Sequence, residues 1–459
     1  MVKSADSRKL TDRAAAAVAA RLAVGEELIW AGAPNTGSLT LAHKFIAALF
    51  ALAWTIYLIY VIYEARSTGD SIAGYLLFPL MVLATSIGAT LRRNTRFFGV
   101  TDRRAIVVQG LRDRHGNSAP FEFVEKVDVT DRNRGTGTVT FIPRRIPKSA
   151  RYLETAVDAS PMTGPVVFDD VEDADKVVSL VNGMLERQKK QDWDAALAAL
   201  PSTTAKSGDL KIAYADAGSG DPIVFLHGVG ATKKCWAMQV RSLSRKYRCI
   251  ALDYRGYGDS DIPPPGSISR ETFALDVAAV MDTTEIEKAV LCGNSLGGAV
   301  ALEFYKQFPK RVKALVLVDS FAYYPGGAES ISDRLKTLDD LGIEKFAETR
   351  SPALFRPDAP SWLIEAARAD LASIPLDVYK AATSVTWSGD YRRLLPKIDV
   401  RALVVWGEHD TKIAPRVLSK ELALNIPASS DLSVILGAGH IPQMEAPRAF
   451  NSVLTEFLS

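Results

Sequence analysis

Two uncharged apolar runs, residues 45–63 and 72–91, dominate the early part of the chain, with the polar stretch Glu64-Ala65-Arg66-Ser67-Thr68-Gly69-Asp70-Ser71 between them. Each approaches the ~20 residues a helix needs to cross a ~30 Å hydrocarbon layer. The connection is long enough only for a tight turn. The pattern therefore predicts a transmembrane helical hairpin over 44–92, kinked at Pro79 and preceded by an N-terminal segment, 1–43. A cleaved secretory signal does not fit, because the first run starts late, is too long and is followed at once by a second. Lys3, Arg8, Lys9, Arg13, Arg21 and Lys44 precede the hairpin, and Arg92, Arg93, Arg96, Arg103 and Arg104 follow it. Its loop offers only Arg66, opposed by Glu64 and Asp70. This asymmetry predicts a multi-pass protein of the inner or plasma membrane with both termini in the cytoplasm.

From residue 94 to 190 the pattern becomes β-like. Segments 99–110 read as two strands about a Thr-Asp turn, 121–124, 127–129 and 135–141 as further strands, and 167–171 as a last strand before a helix over 174–190. That helix carries Val177, Val178, Val181 and Leu185 on one face. Residues 191–208, ending in Pro201-Ser202-Thr203-Thr204-Ala205-Lys206-Ser207-Gly208, read as a linker.

Over 209–459, short continuous apolar runs alternate with helical stretches. The runs 223–226, 249–252, 289–291, 314–318 and 402–406 do not alternate in polarity, which suits strands covered by helices on both faces. A doubly wound, mostly parallel α/β sheet follows. Between 320 and 397 the strand pattern gives way to helical stretches near 331–341 and 361–373, an insertion expected to cap the site. Its aromatics Phe321, Tyr323, Tyr324, Phe355, Trp362 and Trp387 either line a pocket or pack the cap on the body.

Four motifs each follow a strand-like run: three of those above and a further one, 432–436, ahead of His440. Gly293-Asn294-Ser295-Leu296-Gly297 sits on a strand-to-helix turn, the setting of a nucleophile elbow. Asp410 lies in Gly407-Glu408-His409-Asp410, and His440 in Gly437-Ala438-Gly439-His440. In the order Ser, Asp, His, these form a candidate triad: His440 takes the Ser295 proton, and Asp410 holds the imidazole tautomer and stabilises the cation. Glu408 and Asp319 are the competing acids. In His227-Gly228-Val229-Gly230 the amide of Val229, with that of Leu296, is a candidate oxyanion donor. His227 reads as structural, His409 as exposed, and Asp253–Ser260 as a structural turn.

On these motifs, together with Glu445-Ala446-Pro447-Arg448-Ala449-Phe450, the segment from about residue 204 to 459 resembles the α/β-hydrolase superfamily of esterases, enol-lactonases and carbon–carbon bond hydrolases. The resemblance implies an α/β-hydrolase fold, an acyl-enzyme on Ser295, a small or medium ester, lactone or related carbonyl substrate, no metal and no organic cofactor. A serine at position 295 disfavours the dehalogenases and epoxide hydrolases of that fold, which use aspartate. Residues 20–188 resemble bacterial pleckstrin-homology-like (PH-like) domains beside membrane hairpins. The carrying segments are Gly25-Glu26-Glu27-Leu28-Ile29-Trp30, Val100-Thr101-Asp102-Arg103-Arg104 and Gly135-Thr136-Gly137-Thr138-Val139. That resemblance implies a small β-barrel or sandwich closed by a helix, able to bind lipid head groups or a protein partner.

Composition narrows the alternatives. A net charge of +2 over 459 residues argues against a nucleic-acid binder driven by bulk electrostatics. The cysteines, Cys235, Cys249 and Cys292, are odd in number and read as buried reduced thiols. A membrane-bound receptor or scaffold that reuses the hydrolase pocket is the competing class, and the full set of catalytic groups counts against it.

Overall fold

The computed structural model describes residues 5–34, 53–64, 66–67, 96–109, 118–121, 124–133, 136–143 and 165–459. The chain forms two compact units, one of residues 1–145 and 157–187, the other of 146–156 and 188–459.

In the first unit, β1 (Leu28–Gly32), β2 (Arg96–Thr101), β3 (Arg104–Gln109) and β4 (Ser118–Pro120) make one antiparallel sheet in that order. A second is built from β5 (Val124–Asn133), β6 (Thr136–Pro143) and β7 (Val166–Glu172). Phe98, Val100 and Val107 of one sheet share a core with Val139, Phe141 and Phe168 of the other, and Val177 and Val181 of the following helix close it. The segments around Glu26 and Thr101, far apart in sequence, are joined by a buried network. The Glu26 carboxylate accepts from Thr101 Oγ1 at 2.8 Å, from Arg104 Nε at 2.8 Å and from the Ala23 amide at 2.7 Å. Burial opposes its charge, but these bonds outweigh that and hold its pKa at about 2. Of the basic residues that follow the second apolar run, Arg104 pairs with Glu26, Arg96 with Asp169 and Arg103 with Asp102. Arg92 and Arg93 lie outside the described residues.

The second apolar run, 72–91, also lies outside the described residues, as do 45–52 of the first. Residues 53–64 are helical. Among the described residues no helix is long and apolar enough to cross a membrane.

The second unit contains β8 (Thr203–Ser207), β9 (Leu210–Ala217), β10 (Pro222–Leu226), β11 (Arg248–Leu252), β12 (Ala289–Asn294), β13 (Val312–Val318), β14 (Arg401–Gly407) and β15 (Ser433–Ile435). They form one sheet in the order β15-β14-β13-β12-β10-β11-β9-β8, parallel from β10 onward with an antiparallel β8–β9 edge. Successive residues serve opposite cores. Val224, Leu226, Leu291, Leu315 and Leu317 face the helices Arg270–Thr283 and Leu296–Gln307, whereas Ile223, Phe225, Val290, Cys292 and Val316 face Ala237–Leu243 and Pro447–Leu458. Burial on both faces explains why these strands read as unbroken apolar runs. The three cysteines are buried and unpaired by disulfide.

The segment 191–208 is not the linker expected from its composition. The helix begun at Ala174 continues to Ala198, burying Trp193 and Ala196, and Thr203–Ser207 is the outermost strand, paired with β9. The strand is polar because it borders solvent and buries only Ala205. Helices Gly327–Arg350, Ser361–Ala372 and Leu376–Trp387 fill the insertion between β13 and β14, the first broken at Gly342 (φ 73°).

Candidate active site

Strand β12 ends and the helix Leu296–Gln307 begins within one residue, and Ser295 absorbs the turn at φ 56° and ψ −118°. That conformation is strained for a residue with a Cβ. The flanking glycines make it possible. A Cβ on Gly293 would stand 2.2 Å from the Gly297 carbonyl, and one on Gly297 would stand 2.2 Å from the Leu226 carbonyl oxygen. The turn is tied from several sides. Ser295 N–H donates to Val318 O at 2.9 Å, Ser320 Oγ donates to Ser295 O at 2.8 Å, and Asn294 Nδ2 donates to His440 O at 3.0 Å.

Asp410 and His440 come from loops after β14 and β15. His440 Nδ1 lies 2.6 Å from Asp410 Oδ2, and both are buried. The amides of Ile413 and Ala414 donate to Asp410 at 3.2 Å. Burial disfavours the Asp410 anion, but the charge and hydrogen bond of His440, with those amides, hold its pKa below the ordinary carboxylate value. The His440 loop is fixed by its own amide on Leu354 O at 2.7 Å and by Gly439 N–H on Glu445 Oε2 at 2.6 Å. Ser295 and His440 line one small cavity with Gly228, Val229 and Asn294.

Of the competing acids, Glu408 is exposed and accepts from Gly437 N–H. Asp319 is buried beside the pair. One oxygen from it, one from Asp410 and a His440 ring nitrogen lie within 4.8 Å of one another. Burial and the neighbouring Asp410 charge push the Asp319 pKa well above the ordinary carboxylate value, which favours its protonated form. These three side chains are a set of metal-donor types, yet the 2.6 Å Nδ1–Oδ2 contact is a direct hydrogen bond with a proton between the two atoms.

The oxyanion candidates are placed differently. Val229 lines the cavity, and among the described residues its amide has no acceptor. Leu296 is buried at the first position of its helix, where an amide has no intrahelical partner and the helix dipole favours negative charge. His227 is buried in a bonding role: its Nε2 accepts from Tyr254 N–H at 3.2 Å, so Nδ1 carries the proton toward Gly228 O at 2.8 Å. Asp370 from the cap accepts from Thr232 N and Oγ1, anchoring the other end of this loop. His409 is exposed. In the 253–260 turn, Asp253 and Asp259 both bind Lys233 Nζ at 2.6 Å.

A pocket of about 330 Å³ adjoins the serine cavity and shares Arg334, Arg350, Trp387 and Ile413 with it. The cap aromatics divide. Trp387 and Tyr324 line space open to a ligand, whereas Phe321 and Phe355 are buried in the cores and Trp362 packs on Trp193. Sequence reading passed over Arg334, Arg350, Ser320 and Asp370, which no strand-end motif announces.

The alpha/beta hydrolase fold family matches residues 221–447. Over 267 residues the chain is 32% identical to the AB hydrolase superfamily protein YisY of Bacillus subtilis, an alignment covering 53% of this chain and 93% of that protein. The chain belongs to the α/β-hydrolase superfamily. It is 28% identical to 3-oxoadipate enol-lactonase 2 of Acinetobacter baylyi, over 54% of this chain and 93% of that one. Among solved structures, a thermophilic esterase from Thermogutta terrifontis superposes with a TM-score of 0.51 at 28% identity, covering 56% of this chain and 98% of the esterase. The α/β-hydrolase fold therefore occupies the C-terminal region, and the protein is a hydrolase.

Proposed function

We propose that this hydrolase is a serine enzyme acting on a small or medium carboxylic ester, lactone or related carbonyl compound through an acyl-enzyme on Ser295. The buried hydrogen bond between His440 and Asp410, beside a strained serine that lines the same cavity as His440, carries the reading. In it, His440 accepts the proton of Ser295 Oγ as that oxygen attacks the carbonyl carbon. The amides of Val229 and Leu296 take the negative charge on the carbonyl oxygen. His440 then protonates the leaving group, and water, deprotonated by His440, releases the acid. The identity to an enol-lactonase and the likeness to an esterase agree with ester and lactone chemistry.

Replacing Ser295 with Ala is expected to lower p-nitrophenyl butyrate turnover by about 10⁴-fold or more. Turnover at the wild-type level refutes the assignment. A fluorophosphonate probe should label Ser295 in the wild type, whereas a folded protein that stays unlabelled would instead be a binding module.

The proposal extends to location. The apolar runs 45–63 and 72–91 anchor the protein in a membrane, with the hydrolase in the cytoplasm and the β-rich unit, a PH-like domain, available to lipid head groups or a protein. In support, the helix at 53–64 leaves Ile56, Ile59 and Tyr63 exposed.

A further inference from the structure

The cap helix Gly327–Arg350 brings two arginines to the serine cavity. Arg334 and Arg350 line both that cavity and the adjoining larger pocket. Arg334 is held over the Trp387 ring at 4.2 Å and donates to Tyr379 Oη at 3.4 Å. Among the described residues neither guanidinium has a carboxylate partner. Arginines elsewhere in this unit do: Arg255 pairs with Asp276, Arg248 with Asp216, and Arg356 with Glu445.

Arg350 is half-buried, and among the described residues the groups that act on its guanidinium do so through charge and burial rather than a hydrogen bond. Burial and the like charge of Arg334 pull its pKa down to about 10, which leaves it a cation at neutral pH. The acid that attracts it, Asp410, already serves His440, Ile413 and Ala414. In the larger pocket Lys412 adds a third positive charge against Asp333 alone. Two poorly compensated cations beside a reactive serine cost free energy unless an anion completes them.

We propose that Arg334 and Arg350 form a carboxylate subsite, so that the substrate is an ester or lactone that itself carries a carboxylate. The inference rests on hydrolysis at Ser295 for the fate of the carbonyl group, but not for the binding of the anion. Guanidinium groups match carboxylates with paired N–H donors, and the pocket of about 330 Å³ accommodates a short chain between the two ends.

Binding is tested apart from turnover in full-length Ser295→Ala protein, titrated calorimetrically with monomethyl glutarate and with neutral dimethyl glutarate. The monoanion is expected to bind about 10- to 100-fold more tightly. Adding Arg350→Gln or Arg334→Gln should collapse that ratio toward one, and Arg350→Lys should keep part of it. A ratio near one in the parent, or one that survives both Gln substitutions, overturns the subsite, as does inorganic phosphate binding more tightly than the monoester. Anion preference in Ser295→Ala without turnover of mono-p-nitrophenyl glutarate by the wild type would instead overturn hydrolysis at Ser295 and leave the subsite standing.

Discussion

Asp319 and Asp410 are identical side chains, both buried, yet their surroundings push their pKa values in opposite directions. Asp410 meets His440 and two amides, which favour its anion, while Asp319 receives only the Gly407 amide and is pushed toward the neutral form. His227 shows the same dependence on partners. Burial lowers its pKa to about 4, and a second ring proton would point Nε2–H at the Tyr254 amide, donor against donor. An unfolded histidine takes up its proton near pH 6.5, so between that pH and about 4 the unfolded chain binds the extra proton and stability falls as pH falls. The loss from this residue amounts to about 3 kcal/mol across the window. The melting temperature of His227→Gln should therefore decline less steeply than that of the wild type from pH 6.5 to 4. Parallel declines would show that His227 does not carry this dependence.

The strand-to-helix turn around Ser295 depends on backbone packing more than on any side chain. Gly297→Ala would drive a methyl group against the Leu226 carbonyl, which belongs to a central strand and has nowhere to move. We expect that variant to lose about 2–4 kcal/mol and its fluorophosphonate labelling together, read by melting and by probe. An unchanged melting temperature would mean the turn tolerates the displacement. At this scale much was legible beforehand. Continuous apolar runs marked the inner strands, and the glycine-flanked serine marked the turn. The polar edge strand β8 and the last turns of the helix ending at Ala198 were not legible. An edge strand is specified by its hydrogen-bond partner, and Thr203–Ser207 bears no alternation strong enough to distinguish it from a linker.

For the whole molecule, the membrane proposal is open to a direct measurement. The full-length protein should remain with membranes through an alkaline carbonate wash, and recovery in the soluble fraction would reject the anchor. Local pattern by itself determined the β-then-helix alternation of the C-terminal half, the place of the nucleophile turn and the order in which the catalytic groups occur along the chain. Those features depend on residues close in sequence, whose periodicity and backbone demands are written locally. Only the tertiary structure decided that His440 takes Asp410 rather than Glu408, that Glu26 receives Arg104, and that Arg334 and Arg350 reach the serine cavity. Each of those pairings is a contact between distant segments, and its energy exists only once the chain has closed and excluded water from around the charges.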